Sequence, residues 1–213
     1  MKYHEEKIAG SLLFIGGIQC VLGIILAEAL YPGYSTSIQT ISSLGVGSSA
    51  IIFNSSVFLI GVLGLASTYF VNRAFDFTLF TLLLSITCIG AMGVGLFIEA
   101  TSTNTMHTIF SVITYVFGAI SAIISYKLLK SPMSIFSVIL GVFSLSAMIL
   151  LASGTYLGLG LGGIERMVAY PLLLWIVGFG SHLLAQDGMK HNKKNDILIN
   201  NSKKKKITDQ PTH

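Results

Sequence analysis

The chain has 213 residues, of which 53% are apolar and only 10% charged, and its mean hydropathy is +0.77. A soluble domain carries roughly 25% charged residues, so a water-facing globule is excluded. The net charge of +4 gathers in the tail after Ala185, which speaks against a nucleic-acid-binding domain, and no nucleic-acid partner is expected.

A bilayer core of about 30 Å takes about 20 apolar residues of helix. The chain supplies six such runs, predicted at Ile8–Leu30, Ser49–Phe70, Phe77–Ile98, Thr108–Leu129, Met133–Ser153 and Arg166–Leu184. The expected fold class is therefore all-α, a polytopic membrane protein built as a bundle of six transmembrane helices. Residues 1–185 form the transmembrane domain, and 186–213 a Lys-rich tail. That tail has too little apolar surface to fold and is expected to be disordered.

The first run is too long for a signal-peptide core and is preceded by Glu5 and Glu6, so it is expected to be retained. Tyr31-Pro32-Gly33 ends it. The segment from there to Ser49 is rich in Ser, Thr and Gly, yet Ile38, Ile41 and Leu44 recur every third residue. That spacing predicts a short amphipathic helix on the membrane surface, lidding or covering the bundle. Arg73, Lys127, Lys130, the Lys residues near the start and the tail all fall on one side of the membrane. The opposite connections carry only Arg166. The positive-inside rule then places both termini in the cytoplasm of a multi-pass cell-membrane protein.

Ionisable residues inside membrane segments are costly and mark function by default. Here Glu28, Glu99, His107, Glu165 and Arg166 all fall near the outer ends of predicted helices. Arg166 can clamp Glu28 or Glu99 as a bidentate pair. His107 can serve as a base or a ligand beside Glu99 and Glu165. The alternative is a set of ordinary helix-end charges closed as ion pairs.

His182 lies at the other end of the bundle from His107, so the two do not make an axial haem pair. Cys20 and Cys88 sit inside apolar runs and read as inert thiols. No zinc-type spacing occurs, and neither metal nor cofactor is expected. Gly158 to Gly163 satisfies G-x-G-x-x-G, but without a preceding strand it reads as a flexible connection. Asn54-Ser55-Ser56 matches a glycosylation sequon inside a span and is discounted. Glycines recurring within the spans predict close helix contacts in the bundle or between subunits. Trp175 reads as a packing anchor.

Several short motifs resemble, in order and spacing, the DUF998 family of membrane proteins, which is common in archaea and also found in bacteria. These are Tyr31-Pro32-Gly33-Tyr34-Ser35, Ile41-Ser42-Ser43-Leu44-Gly45, Ile52-Phe53-Asn54-Ser55, Gly95-Leu96-Phe97 with His107-Thr108, and Glu165-Arg166 with Ala169-Tyr170-Pro171 and Leu174-Trp175. The family is largely uncharacterised, so the resemblance implies a six-helix bundle and no activity. Its motifs take in the outer-facing residues Tyr31, Pro32, Asn54, His107, Glu165 and Arg166, which favours a shared site over unrelated helix-end charges. In one departure, Ser43 stands where the family pattern often has Asp, so a role resting on that Asp does not transfer.

The first functional expectation is binding, and movement, of a lipid or small amphiphile at an outward-facing polar pocket. Its lining would come from Glu28, Tyr31, Asn54, Glu99, His107, Glu165 and Arg166. The alternatives are an accessory subunit of a larger membrane complex, or a homo-oligomer, and a membrane enzyme acting on lipid headgroups. Whether the chain is an enzyme stays open.

Overall fold

The computed structural model describes residues 2–99 and 104–208, with side chains for 4–99 and 104–185. The apolar runs become six helices: α1 (Lys2–Leu30), α2 (Ala50–Phe75), α3 (Thr78–Leu96), α4 (Asn104–Ile124), α5 (Met133–Ala152) and α6 (Gly160–Thr208). Each holds a segment long and apolar enough to cross a membrane, that of α6 being Gly160–Ala185. No strand occurs among the described residues. Of the tail 186–213, expected to be disordered, the backbone to Thr208 continues α6, while its side chains and residues 209–213 lie outside the described residues.

The helices form a closed ring in chain order. Each packs on its sequence neighbour, and α6 returns to pack on α1. All odd-numbered helices run one way, so the connections after α1, α3 and α5 share one end, the loop end, and both termini share the other.

The sides of these helices are sorted as lipid solvent demands. The buried stripe of α5 is Ser137, Gly141, Ser144 and Ala147, and that of α4 includes Gly118, Ala119, Ser121 and Ala122. Many large apolar residues face out, Leu22 being 60% and Ile149 69% exposed, although Phe80, Leu84 and Phe179 fill the interior. Hydrocarbon outside the bundle leaves no reason to hide leucine, while small residues let helix backbones approach. Inward hydroxyls are satisfied locally, Ser67 donating to the Gly64 carbonyl at 2.6 Å and Thr114 to Phe110 at 2.8 Å. Between helices, Ser144 donates to the Val168 carbonyl at 2.8 Å, in the turn before Pro171.

Two helix ends differ from the sequence expectation. α2 runs on to Phe75, and in its last turn Arg73 pairs with Glu5 at 3.1 Å and lies over the Tyr69 ring. Asp76 then closes the helix in the left-handed region, φ 52°, its N–H bonding the Asn72 carbonyl at 2.8 Å. α6 starts at Gly160, well before Arg166, so Glu165 and Arg166 sit inside the helix and do not open it. The glycine-rich stretch read as a flexible connection supplies the first turn of α6. A Cβ on Gly162 would collide with the carbonyls of Gln39 and Thr36, so the missing side chain lets the first loop lie directly on α6.

That loop is not an amphipathic helix on the membrane surface. It is a series of turns with one 3-10 turn, Ser42–Gly45. Ile41 and Leu44 are buried and pack with Ile24, Ala27 and Phe53, while Ile38 is 72% exposed. The apolar spacing was real, but its target is the mouth of the ring.

Candidate functional site

At the loop end, the polar residues divide into two groups. The first centres on Arg166, which is buried. Its Nη1 donates to the carbonyls of Thr36 (2.9 Å), Gln39 (3.2 Å) and Gly162 (2.8 Å). Its Nη2 reaches Glu28 Oε1 and the Tyr34 hydroxyl, both at 2.6 Å. The guanidinium also lies over the Tyr34 ring, 5.5 Å from its centroid. Tyr34 in turn donates to the Thr40 carbonyl at 2.6 Å. Burial raises the Tyr34 phenol above its ordinary value, against the lowering effect of Arg166, so the hydroxyl keeps the proton it donates. One planar fork thus ties α6 to α1 and to three points of the first loop, a task for which arginine is suited and lysine is not.

The second group surrounds a chamber of about 170 Å³. Glu99, His107 and Glu165 line it, with Thr40 and Ser42 from the loop and Ser111 and Tyr115 from α4. Glu165 is buried, accepting from the Ile41 N–H at 2.5 Å and the Ser42 hydroxyl at 2.8 Å. Glu99 accepts from the Thr40 hydroxyl at 3.0 Å. Residues 40–42 are therefore strung between two carboxylates, and Thr40 connects the chamber to the Arg166 group through Tyr34.

His107 is 4% exposed. Its Nδ1 lies 2.7 Å from the Phe97 carbonyl, which can only accept, so Nδ1 carries a proton there. Its Nε2 is buried and has no partner, and neither does the Ser111 hydroxyl. Such groups are rare inside proteins and call for an explanation. The chamber wall includes Thr108 and Val112 of α4, which are exposed, and Met148 and Leu151 of α5, which are half-buried. No group of three or more ligating side chains suited to a metal ion occurs among the described residues.

The remaining candidates lie apart from the chamber lining. Tyr31 packs against Tyr34, with ring centroids 5.5 Å apart. Asn54 donates from Nδ2 to the Gly45 carbonyl at 3.0 Å, fixing the end of the 3-10 turn, while its Oδ1 is buried without a partner. Ser43, the departure from the family pattern, bonds within the loop, donating to the Thr40 carbonyl at 2.7 Å. So the seven candidates separate into Glu99, His107 and Glu165 around the chamber, Glu28 and Arg166 in the clamp, and Tyr31 and Asn54 as loop supports.

Sequence reasoning missed Thr40, Ser42, Ser111, Tyr115 and Tyr34. One signal was available: His107, Ser111 and Tyr115 follow one another every fourth residue, one face of α4. Below the chamber lies a second, apolar cavity of about 110 Å³ in the middle of the ring. Ile24, Phe53, Cys88, Ala91 and Trp175 are among its walls, and Ser42 and Tyr115 line both cavities. Cys20 and Cys88 are free and buried, as read from the sequence. Trp175 stacks on Phe179 and donates to the Ser125 hydroxyl at 3.0 Å, and besides packing it faces this cavity.

No curated protein and no solved structure matches the chain. The model of one family, described as a protein of unknown function, covers residues 14–182. That span reaches into all six helices and holds both polar groups at the loop end, and the chain is a multi-pass membrane protein that belongs to the DUF998 family.

Proposed function

We propose that the protein binds a lipid or smaller amphiphile whose polar head enters the loop-end chamber from the side, between α4 and α5. That end would face the outside of the cell membrane, with both termini cytoplasmic. The observation that carries this reading is the His107 Nε2, buried and unpartnered in the wall of a chamber that reaches exposed Thr108 and Val112. A bound head would give that nitrogen and the Ser111 hydroxyl the partners that they lack. The Arg166 clamp holds the first loop in place as the chamber roof.

The test is native mass spectrometry of the protein released from detergent. The wild type should retain lipid-sized adducts, and the double variant Glu99→Gln/His107→Leu should lose them while remaining folded, its melting temperature lowered by the equivalent of about 1–3 kcal/mol for the lost His107–Phe97 bond. Equal adducts in both forms, or none in either, would remove the reading. Orientation is tested separately by Ser37→Cys, an exposed loop position, with a membrane-impermeant maleimide on intact cells. Labelling without permeabilisation is expected, and the native Cys20 and Cys88 are buried and silent.

The accessory-subunit reading draws support from the Glu28–Arg166 pair, whose two Nη atoms are committed within the chain. Proteins co-purifying at fixed stoichiometry would favour it over the binding reading.

A further inference from the structure

The chamber and the cavity beneath it differ in what they would accept, and together they describe one molecule. The chamber offers acceptors. Glu99 and Glu165 are in its wall, and His107, when neutral with its proton on Nδ1, presents Nε2 as a lone pair. No Lys or Arg lines it. The one nearby guanidinium, that of Arg166, has both Nη atoms committed to Glu28, Tyr34 and backbone carbonyls. Carboxylates drawn out of water with no cation in direct contact are costly. A cationic donor relieves that cost, and an anionic head adds to it.

The cavity beneath offers the opposite. Its lining is mainly apolar, and apolar cavities of this size stay dry. It runs along α6 from Ala169 to Ile176, and Trp175 lies ten residues past Glu165, about 15 Å deeper at 1.5 Å per residue. Ser42 and Tyr115 stand in the walls of both spaces, so the two are separated by side chains and not by backbone.

Resting on the amphiphile reading above, we propose that the ligand is an alkylammonium amphiphile, with its protonated amine held by Glu99, Glu165 and His107 Nε2 and its hydrocarbon chain lying in the central cavity beside Trp175. The amine could belong to a lipid headgroup such as phosphatidylethanolamine or to a free long-chain amine. The recognised chemistry is the same in both.

Trp175 is the only tryptophan in the chain, so its fluorescence reports entry of a chain into the cavity. The experiment uses the full-length protein in phosphatidylcholine nanodiscs. It is titrated below the micellar range with dodecylammonium, dodecanol and dodecanoate, each brominated at the far carbon to quench tryptophan. Saturable quenching by the ammonium is expected, at least about tenfold tighter than by the alcohol, the scale of one charge-assisted contact. Glu99→Gln and, separately, Glu165→Gln should erase that preference. Glu165 also anchors the loop, so Glu99→Gln, whose carboxylate takes only the Thr40 hydroxyl, carries the inference if the Glu165 variant does not fold.

Equal quenching by ammonium and alcohol would overturn the cationic head and leave amphiphile binding standing. Tighter quenching by dodecanoate would overturn it outright. No saturable quenching by any of the three would remove this inference and the reading it rests on. Adding phosphatidylethanolamine to the nanodiscs separates the two sources. If it competes with the ammonium probe, the natural ligand is a lipid amine. If it does not, the ligand is a free amine, and the inference holds in both cases.

Discussion

The Arg166 clamp and the His107 chamber occupy the same end of the ring, draw on the same residue types, and share Thr40 through its carbonyl and its hydroxyl. They differ in saturation. Around Arg166 both Nη atoms and the Glu28 Oε1 are spent on partners inside the chain, and the buried Nε alone of the guanidinium nitrogens has none. Around the chamber, His107 Nε2 and the Ser111 hydroxyl are buried and have none. A cluster of charges at a helix end therefore says little by its composition. The distinction between holding a fold and holding a ligand lies in whether the polar atoms left over belong to residues that line a cavity, as His107 and Ser111 do and Arg166 does not.

The comparison breaks most readily at its centre. Arg166→Met should cost about 3–5 kcal/mol, toward the lower figure because the site lies at the end of the bundle. It removes one partner of a buried pair and strands the Glu28 carboxylate. The loss is read as a fall in melting temperature in nanodiscs, and Arg166→Lys should recover only part of it because an ammonium cannot span the same acceptors. An unchanged melting temperature would show that the clamp is not what secures the loop.

Gly162→Ala comes next, at about 1–3 kcal/mol, since its Cβ would push the loop carbonyls off α6. If the loop is the chamber roof, this variant should also weaken amphiphile binding, although Gly162 is not among the residues lining the chamber. Tyr34→Phe should cost about 1–2 kcal/mol, because the hydroxyl both accepts from Arg166 and donates to Thr40. Its melting temperature should fall while the Glu99 and His107 side chains keep their chemistry. Loss of binding without loss of stability in Tyr34→Phe would blur the division between the two groups.

Much of this architecture was legible in the chain. Six apolar runs of bilayer length give six spans almost without alternatives, because backbone polar groups in lipid must be satisfied within a helix. Glu28 with Arg166, and Glu99 with His107 and Glu165, could be placed at one depth. Their division into two groups could not, because it depends on helix rotation. Where all sides of a helix are apolar, as in α3 or α5, hydropathy does not say which side turns inward. The first loop failed for a different reason. Its three-residue apolar spacing is shared by a surface helix and by turns that drop Ile41 and Leu44 into a ring mouth. Only the glycines of α6, which make room for the loop, distinguish them. Those same glycines, Gly160 and Gly162, had read as a flexible connection because their use is set by a segment far away in sequence.

The smallest expected effect is the one that discriminates most finely between an empty chamber and an occupied one. Ser111 contributes a buried hydroxyl with no partner, on the same α4 face as His107 and Tyr115. In the unliganded protein, Ser111→Ala removes an unsatisfied polar group and no hydrogen bond. The melting temperature should therefore stay within the equivalent of about ±0.5 kcal/mol, or rise slightly. With amphiphile at saturation the sign should reverse, since the wild-type hydroxyl would then have a partner to lose, and ligand-induced stabilisation follows affinity directly. The quantity to compare is thus the shift on adding ligand, wild type against variant, and not either melting temperature alone. A variant that melts lower by the same amount with and without ligand would mean that Ser111 is packed structure, like the hydroxyls of the lower spans. A variant that loses only the ligand-dependent part would place the amphiphile head against this face of α4.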